Sequence, residues 1–297
     1  MDTRYLASFL EVAQLGSTAA AARRLNLTPT AVAQRIKALE LEIGAALLSR
    51  AGRSMQLTAA GAALVGPARE LLQRTRDLKA IAAQDSVAGD LRIGCISSAL
   101  GYLVPSVLAT LIDSFEHLRP HLEPAFSHEL YRKVLADEID VALMVRPAFE
   151  LPKEFTWRPL RDEPFVVLAH ARLEGRQALR VLREEPFIRY HRRSYGGLLA
   201  DRWLLEAGVV PNERFEIDAL DAIAALVRGD LGVSLVPQWQ PLHAHRGLVQ
   251  LALPGEGLQR PIGLLWRRNS ARQRLIEVFS EVLFKQLAAS QSSFYGV

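Results

Sequence analysis

Few side chains in this sequence stand at spacings that support covalent chemistry. The segment HELYR (His128–Arg132) begins like the helical zinc-protease pattern, in which two histidines four residues apart bind the metal. Arg132 stands where the second histidine is required. His243 and His245 have no neighbouring acid or cysteine to complete a ligand set and read as solvated loop residues. SYGG (Ser194–Gly197) reads as a strand-to-helix turn with glycine freedom, and catalysis by Ser194 requires a base that sequence alone does not place. Cys95 is the single cysteine; it lies in an apolar run and reads as a small core residue. No glycine-rich phosphate loop or nucleophile elbow is present. Neither catalysis nor a resident metal or cofactor is expected.

Non-covalent chemistry is better represented. In TPTAVAQRIKALE (Thr28–Glu40), Thr28 is a helix cap and Pro29 suits the first helical position. At about 100° per residue, Val32, Ile36 and Leu39 share one face, and Thr30, Ala33, Gln34 and Lys37 share the opposite one. A side of small and hydrogen-bonding residues therefore points outward. The preceding STAAAARRLNL (Ser17–Leu27) reads as a short helix capped by Ser17, joined to the next by a tight break. Such a pair is either a helix-turn-helix, whose second helix enters the DNA major groove, or a plain helical hairpin. Charge bears on the choice. Residues 1–88 carry eleven Lys/Arg against seven Asp/Glu, and the remainder is balanced. A basic head on a neutral body suits a polyanion partner.

Three regions position these groups. Residues 1–59 are short helical patterns that begin with Leu6, Phe9, Leu10 and Ala13 on one side and end in a compact basic segment. Residues 60–88 form one long helical pattern in which Leu64, Leu71 and Leu78 recur every seven residues, a coiled-coil seam interrupted by Pro67. Residues 89–297 alternate short strands with helices: LRIGCIS, IDVALMV, FVVLA, PFIRY and GVSLVP read as buried strands. That alternation implies an α/β fold with largely parallel sheets. The N-terminal MDTRYLASFLEVA lacks the apolar stretch of a signal peptide, and no apolar run reaches membrane-spanning length. With one cysteine and no disulfide framework, a cytoplasmic location is expected.

The pattern A-x-x-L-N-L-T-x-T-A-V-A-x-x-I-x-x-L-E from Ala22 to Glu40, followed by LEIGAALLSRAGRSMQLTAAG, resembles the N-terminal domain of LysR-type transcriptional regulators. The likeness is dense over residues 4–62 and thinner to about residue 290. It implies an α/β protein with an N-terminal all-α winged helix-turn-helix and a two-lobed, periplasmic-binding-protein-like effector domain. The implied divisions are 1–59 for the DNA-binding head, 60–88 for a dimerising linker helix built on Leu64, Leu71 and Leu78, and 89–297 for the effector domain. Lobe I would comprise 89–161 and 266–297, and lobe II 162–265. The first crossing would fall near 155–163 and the return near Leu264–Arg267. Thr28, Pro29, Thr30, Ala33, Gln34 and Lys37 would face DNA, with Arg50 and Arg53 in the wing. Pro29, Thr30 and Ala33 replace the family's commoner Gln, Pro and Ser, which changes the groups offered to base edges. Asp230 stands where a small residue is commoner.

Ligands of open α/β sheets bind beyond the C-terminal ends of strands, where helix N-termini favour anions. That selects Ser97, Ser98, Ser127, His128, Val145, Arg146, Arg189, Tyr190, His191 and Asp218. Ser97 and Ser98 are either ligand contacts or helix caps, and Arg146 and Arg189 are either ligand contacts or solvated loop residues. The expected function is sequence-specific DNA binding by a homodimer or homotetramer. A small effector, an organic anion, tunes it, and RNA polymerase is a further potential partner. The competing readings are a cytoplasmic solute-binding or enzymatic α/β protein with an accessory helical head, and a non-specific architectural DNA binder.

Overall fold

The computed structural model describes residues 1–52, 54–82, 87–239, 246–255 and 257–292, divided into two compact units, 1–82 and 83–297. Arg53, His243 and His245 lie outside the described residues.

The first unit holds α1 (Thr3–Leu15), α2 (Thr18–Arg24), α3 (Pro29–Ile43), a hairpin of β1 (Leu48–Ala51) and β2 (Ser54–Leu57), and α4 (Ala59–Ala82). Local chemistry sets its boundaries. The side chains of Ser17 and Thr28 accept N–H bonds from Ala20 (3.3 Å) and Ala31 (3.1 Å), which caps α2 and α3. Leu6, Phe9 and Val12 of α1 pack with Ala21, Ala22, Val32, Ile36 and Leu39 in one core. Val12, not Ala13, is the third buried apolar α1 position. The fully buried alanines leave room for α1 and α3 to approach α2 closely. Glu40 accepts the Leu47 and Leu48 N–H groups at 2.7 and 3.1 Å, tying α3 to the hairpin. Gly61 in α4 has no room for a side chain, since a Cβ there would meet the Leu47 carbonyl at 2.0 Å.

The 60–88 pattern begins inside this unit. Ala68 is buried, and Leu64, Val65 and Leu72 pack against the same core. Leu64, partly buried, therefore packs against the core of the head. Leu71 and Leu78 are exposed, at 39% and 66%.

The second unit has two lobes. In lobe I, β3 (Gly89–Cys95) lies between β4 (Leu118–Pro124) and β5 (Val141–Val145), all parallel. Helices α5 (Ser97–Leu100), α6 (Val104–Ser114), α7 (Ser127–Leu135) and the final α11 (Gln273–Ser292) cover it. The strand β6 (Phe155–His170) serves both lobes. Residues 155–164 pair with β11 (Gln259–Arg267) beside β5, whereas 165–170 pair with β9 (Ser234–Pro237) and β10 (Leu248–Ala252). In lobe II, β7 (Pro186–Tyr190) and β8 (Asn212–Ile217) are parallel, and β7 reaches β9 through a Phe187–Val233 bridge. Helices α8 (Ala178–Glu184), α9 (Tyr195–Glu206) and α10 (Leu220–Arg228) cover lobe II.

Three expectations change. The sheets are mixed, not largely parallel, because the crossing strands β6 and β11 run antiparallel to their neighbours. Residues 155–163 belong to the lobe I sheet, and the crossing occurs at Pro164–Phe165. The return precedes β11 rather than falling near Leu264–Arg267: Ile262, Leu264, Leu265 and Trp266 are in the lobe I core. The reason is that both edges of β11 are paired, with β5 on one side and β6 on the other, and Ile262 and Leu264–Trp266 are buried, so the strand is not a surface connection. Asp230 adopts φ 57°, a conformation that favours small residues, and its carboxylate accepts Arg172 Nε–H at 2.8 Å.

Candidate nucleic-acid interface and ligand cleft

The exposed face of α3 is the one the periodicity selects. Thr28, Pro29, Thr30, Ala33, Gln34 and Lys37 are all exposed, opposite buried Val32, Ile36 and Leu39. In the first turn of α3, Pro29 has no N–H and the Ala31 N–H is taken by the Thr28 hydroxyl, which leaves the Thr30 N–H as the backbone donor for a phosphate. The hairpin pairs Leu48 with Leu57 and Ala51 with Ser54, so Arg50 projects from an exposed wing, with its Nε–H 3.3 Å from the Gly52 carbonyl.

Lobes I and II flank a narrow cleft that opens to solvent. Ser97, Ser98, Ser127 and Val145 line it from lobe I, and Tyr190 and Asp218 from lobe II. Ile96 is the N-cap of α5, so neither Ser97 nor Ser98 caps that helix. Ser127 is committed to structure: its hydroxyl oxygen accepts the Val145 N–H at 3.1 Å, joining α7 to the end of β5. The N-termini of α7 and α9 meet at this cleft. Close packing of α9 needs glycine, since a Cβ on Gly197 would meet the His191 carbonyl at 2.0 Å.

Four expected residues stand elsewhere. Arg189 is buried and ion-paired with Asp201 and Glu213, on the same side of β7 as Phe187. Strand alternation sends Tyr190 to the cleft and Arg189 away from it. The same alternation past Val145 leaves the Arg146 side chain exposed outside the cleft lining. His128 and His191 are at the rim, where Phe126 stacks on His128 (5.7 Å) and leans on His191 (5.6 Å).

The cation in the cleft is Arg260, which sequence reasoning missed. It is 1% exposed and lies at the start of β11, where the chain re-enters lobe I. Its Nε–H donates to Glu163 at 2.8 Å, its Nη1 to the Tyr190 hydroxyl at 3.2 Å, and its Nη2 to the Ser98 hydroxyl at 3.2 Å. One guanidinium thus bonds lobe I, lobe II and a crossing strand. Glu163, 2% exposed, also pairs with Arg161, which in turn donates to Tyr102. Burial opposes the Arg260 charge most strongly, but Glu163, Tyr190 and Tyr102 together outweigh it and push its pKa up. Burial also raises the Tyr190 phenol. A charged residue ahead of the apolar run PIGLLW was the available signal, but its partner is 97 positions away.

Family models match both units. One described as "Bacterial regulatory helix-turn-helix protein, lysR family" covers residues 3–62, and "LysR substrate binding domain" covers 84–288. The chain belongs to the LysR family. It is a DNA-binding transcriptional regulator with an effector-binding domain, in a family of regulators rather than enzymes. Its relatives include the HTH-type transcriptional regulator TtuA of Agrobacterium vitis, 29% identical over 294 residues, 94% of this chain and 96% of that protein. OxyR of Escherichia coli K12 is 26% identical over 306 residues, 95% of each chain. A full-length OxyR variant from Pseudomonas aeruginosa shares the fold at TM-score 0.70 and 23% identity, covering 95% of this chain and 94% of that one. CbnR complexed with its target DNA shares it at 0.66 and 24%, covering 96% and 99%. Among the described residues, no helix of this LysR-type regulator is long and apolar enough to cross a membrane.

Proposed function

We propose that this regulator reads an operator with α3 and responds to a small organic anion in the cleft. Thr28 binds phosphate at the α3 N-terminus, while Pro29, Thr30, Ala33, Gln34 and Lys37 meet base edges. Arg50 and Arg53 add backbone contacts from the wing. Exposed Leu71 and Leu78 pair the linker helix with a second copy, which places two recognition helices on two half-sites. Two or four copies hold the operator in the cytoplasm, and RNA polymerase is the partner at the promoter.

The observation that carries the effector reading is Arg260. A ligand anion that competes for its Nη groups alters the bonds joining Ser98 to Tyr190, and with them the relation of the lobes. A ligand switches the protein only by its difference in affinity between the two arrangements. The chain's one cysteine cannot form an intrachain disulfide, and burial pushes the Cys95 thiol up to about 12, leaving little reactive thiolate.

The test is calorimetric titration of the full chain with a panel of carboxylates and their neutral amides. Carboxylates bind, amides do not, and Ser98→Ala weakens the response while operator binding persists. Tight binding of an amide, indifferent to Ser98→Ala, overturns the anion site.

A further inference from the structure

A second charge in the cleft has no partner among the described residues. Asp218 lines it from lobe II, half-buried, and no described residue donates a hydrogen bond or an ion pair to its carboxylate. Glu163, the acid paired with Arg260, is already shared by two guanidinium groups, those of Arg161 and Arg260. Asp218 feels His191 and Arg260 only through space.

The usual reason for an aspartate before a helix does not apply. Asp218 precedes α10, where aspartates commonly cap the first turn. The N-cap of α10 is Ala219, and no side chain makes a cap bond there. The carboxylate is left to the cleft. An unpaired carboxylate in partly desolvated surroundings is unfavourable, and burial raises its pKa accordingly.

We propose that Asp218 is the recognition site for an ammonium group, and that the effector is a small zwitterionic amino acid. This rests on the anion-site reading above. The ligand carboxylate faces Ser98, Arg260 and the N-termini of α7 and α9, and its ammonium faces Asp218. A hydroxyl donates one bond but leaves the Asp218 charge uncompensated, whereas an ammonium neutralises it and offers three donors. The ligand is small because the cleft is crowded. A Cβ on Gly196, which lines the cleft, would already meet the Tyr190 ring at 2.6 Å.

The experiment is calorimetry on the full chain with glycine, alanine, serine and β-alanine, each beside its des-amino acid (acetate, propionate, 3-hydroxypropionate and propionate). At least one amino acid binds, and its des-amino partner binds about tenfold or more weakly, the value of one charge-assisted hydrogen bond. Asp218→Asn weakens the amino acid by a similar factor and leaves the des-amino acid unchanged. Equal binding of both compounds to the parent chain overturns the ammonium site and leaves the anion site standing. So does amino-acid binding that Asp218→Asn does not alter. Failure of every amino acid and every carboxylate to bind overturns both readings.

Discussion

The triad of Arg161, Glu163 and Arg260 makes an asymmetric prediction. Glu163→Gln removes the anion between two guanidinium groups and leaves Arg260, 1% exposed, with an uncompensated charge. Breaking a buried pair in this way costs about 3–5 kcal/mol, a large share of the roughly 5–15 kcal/mol that holds a domain folded. At about 2–4 °C per kcal/mol for a domain of this size, Tm falls by roughly 6–20 °C. Arg260→Met is milder, because Glu163 keeps Arg161 and the cost is confined to the bonds of Tyr190 and Ser98. Replacing both residues, Glu163→Gln with Arg260→Met, recovers most of the loss. Urea unfolding followed by tryptophan fluorescence measures this cleanly. The four tryptophans, Trp157, Trp203, Trp239 and Trp266, all lie in the second unit, so the head does not contribute to the signal. If Arg260→Met destabilises more than Glu163→Gln, or the double variant is worse than either, the charge argument is refuted.

Three further predictions concern the head. Gln34→Ala relaxes preference at one position of each half-site, by about 1–3 kcal/mol of discrimination, and leaves random-sequence affinity nearly unchanged. Arg50→Ala weakens all DNA alike and lowers the salt slope by about one; selection experiments and salt titrations of binding separate the two outcomes. Leu64→Asp unfolds the head by placing a charge against its core, whereas Leu78→Asp, at an exposed position, leaves the head folded and shifts sedimentation to smaller species. A folded head in Leu64→Asp, or unchanged sedimentation in Leu78→Asp, contradicts this division of α4.

The head was almost wholly readable from local pattern. Capping by Ser17 and Thr28, the i, i+4 recurrence of Val32 and Ile36, and the polar face of α3 involve residues within one or two turns of each other. Spacing alone therefore places them. The strands β3, β5, β7 and β9 were readable for the same reason, since a short apolar run bounded by polar residues identifies a buried strand. The cleft was different. Its serines and Asp218 follow from the rule that strand ends carry ligands, but its cation does not. Arg189 and Arg260 look alike in sequence, one inside PFIRY and one before PIGLLW. Alternation along β7 turns Arg189 to Asp201 and Glu213, while β11 brings Arg260 to Glu163, Tyr190 and Ser98 from distant parts of the chain. Which arginine is spent on structure depends on strand register and on which acids meet it in space. Local sequence periodicity encodes the elements, but only their tertiary pairing decides where a buried charge finds its counter-charge.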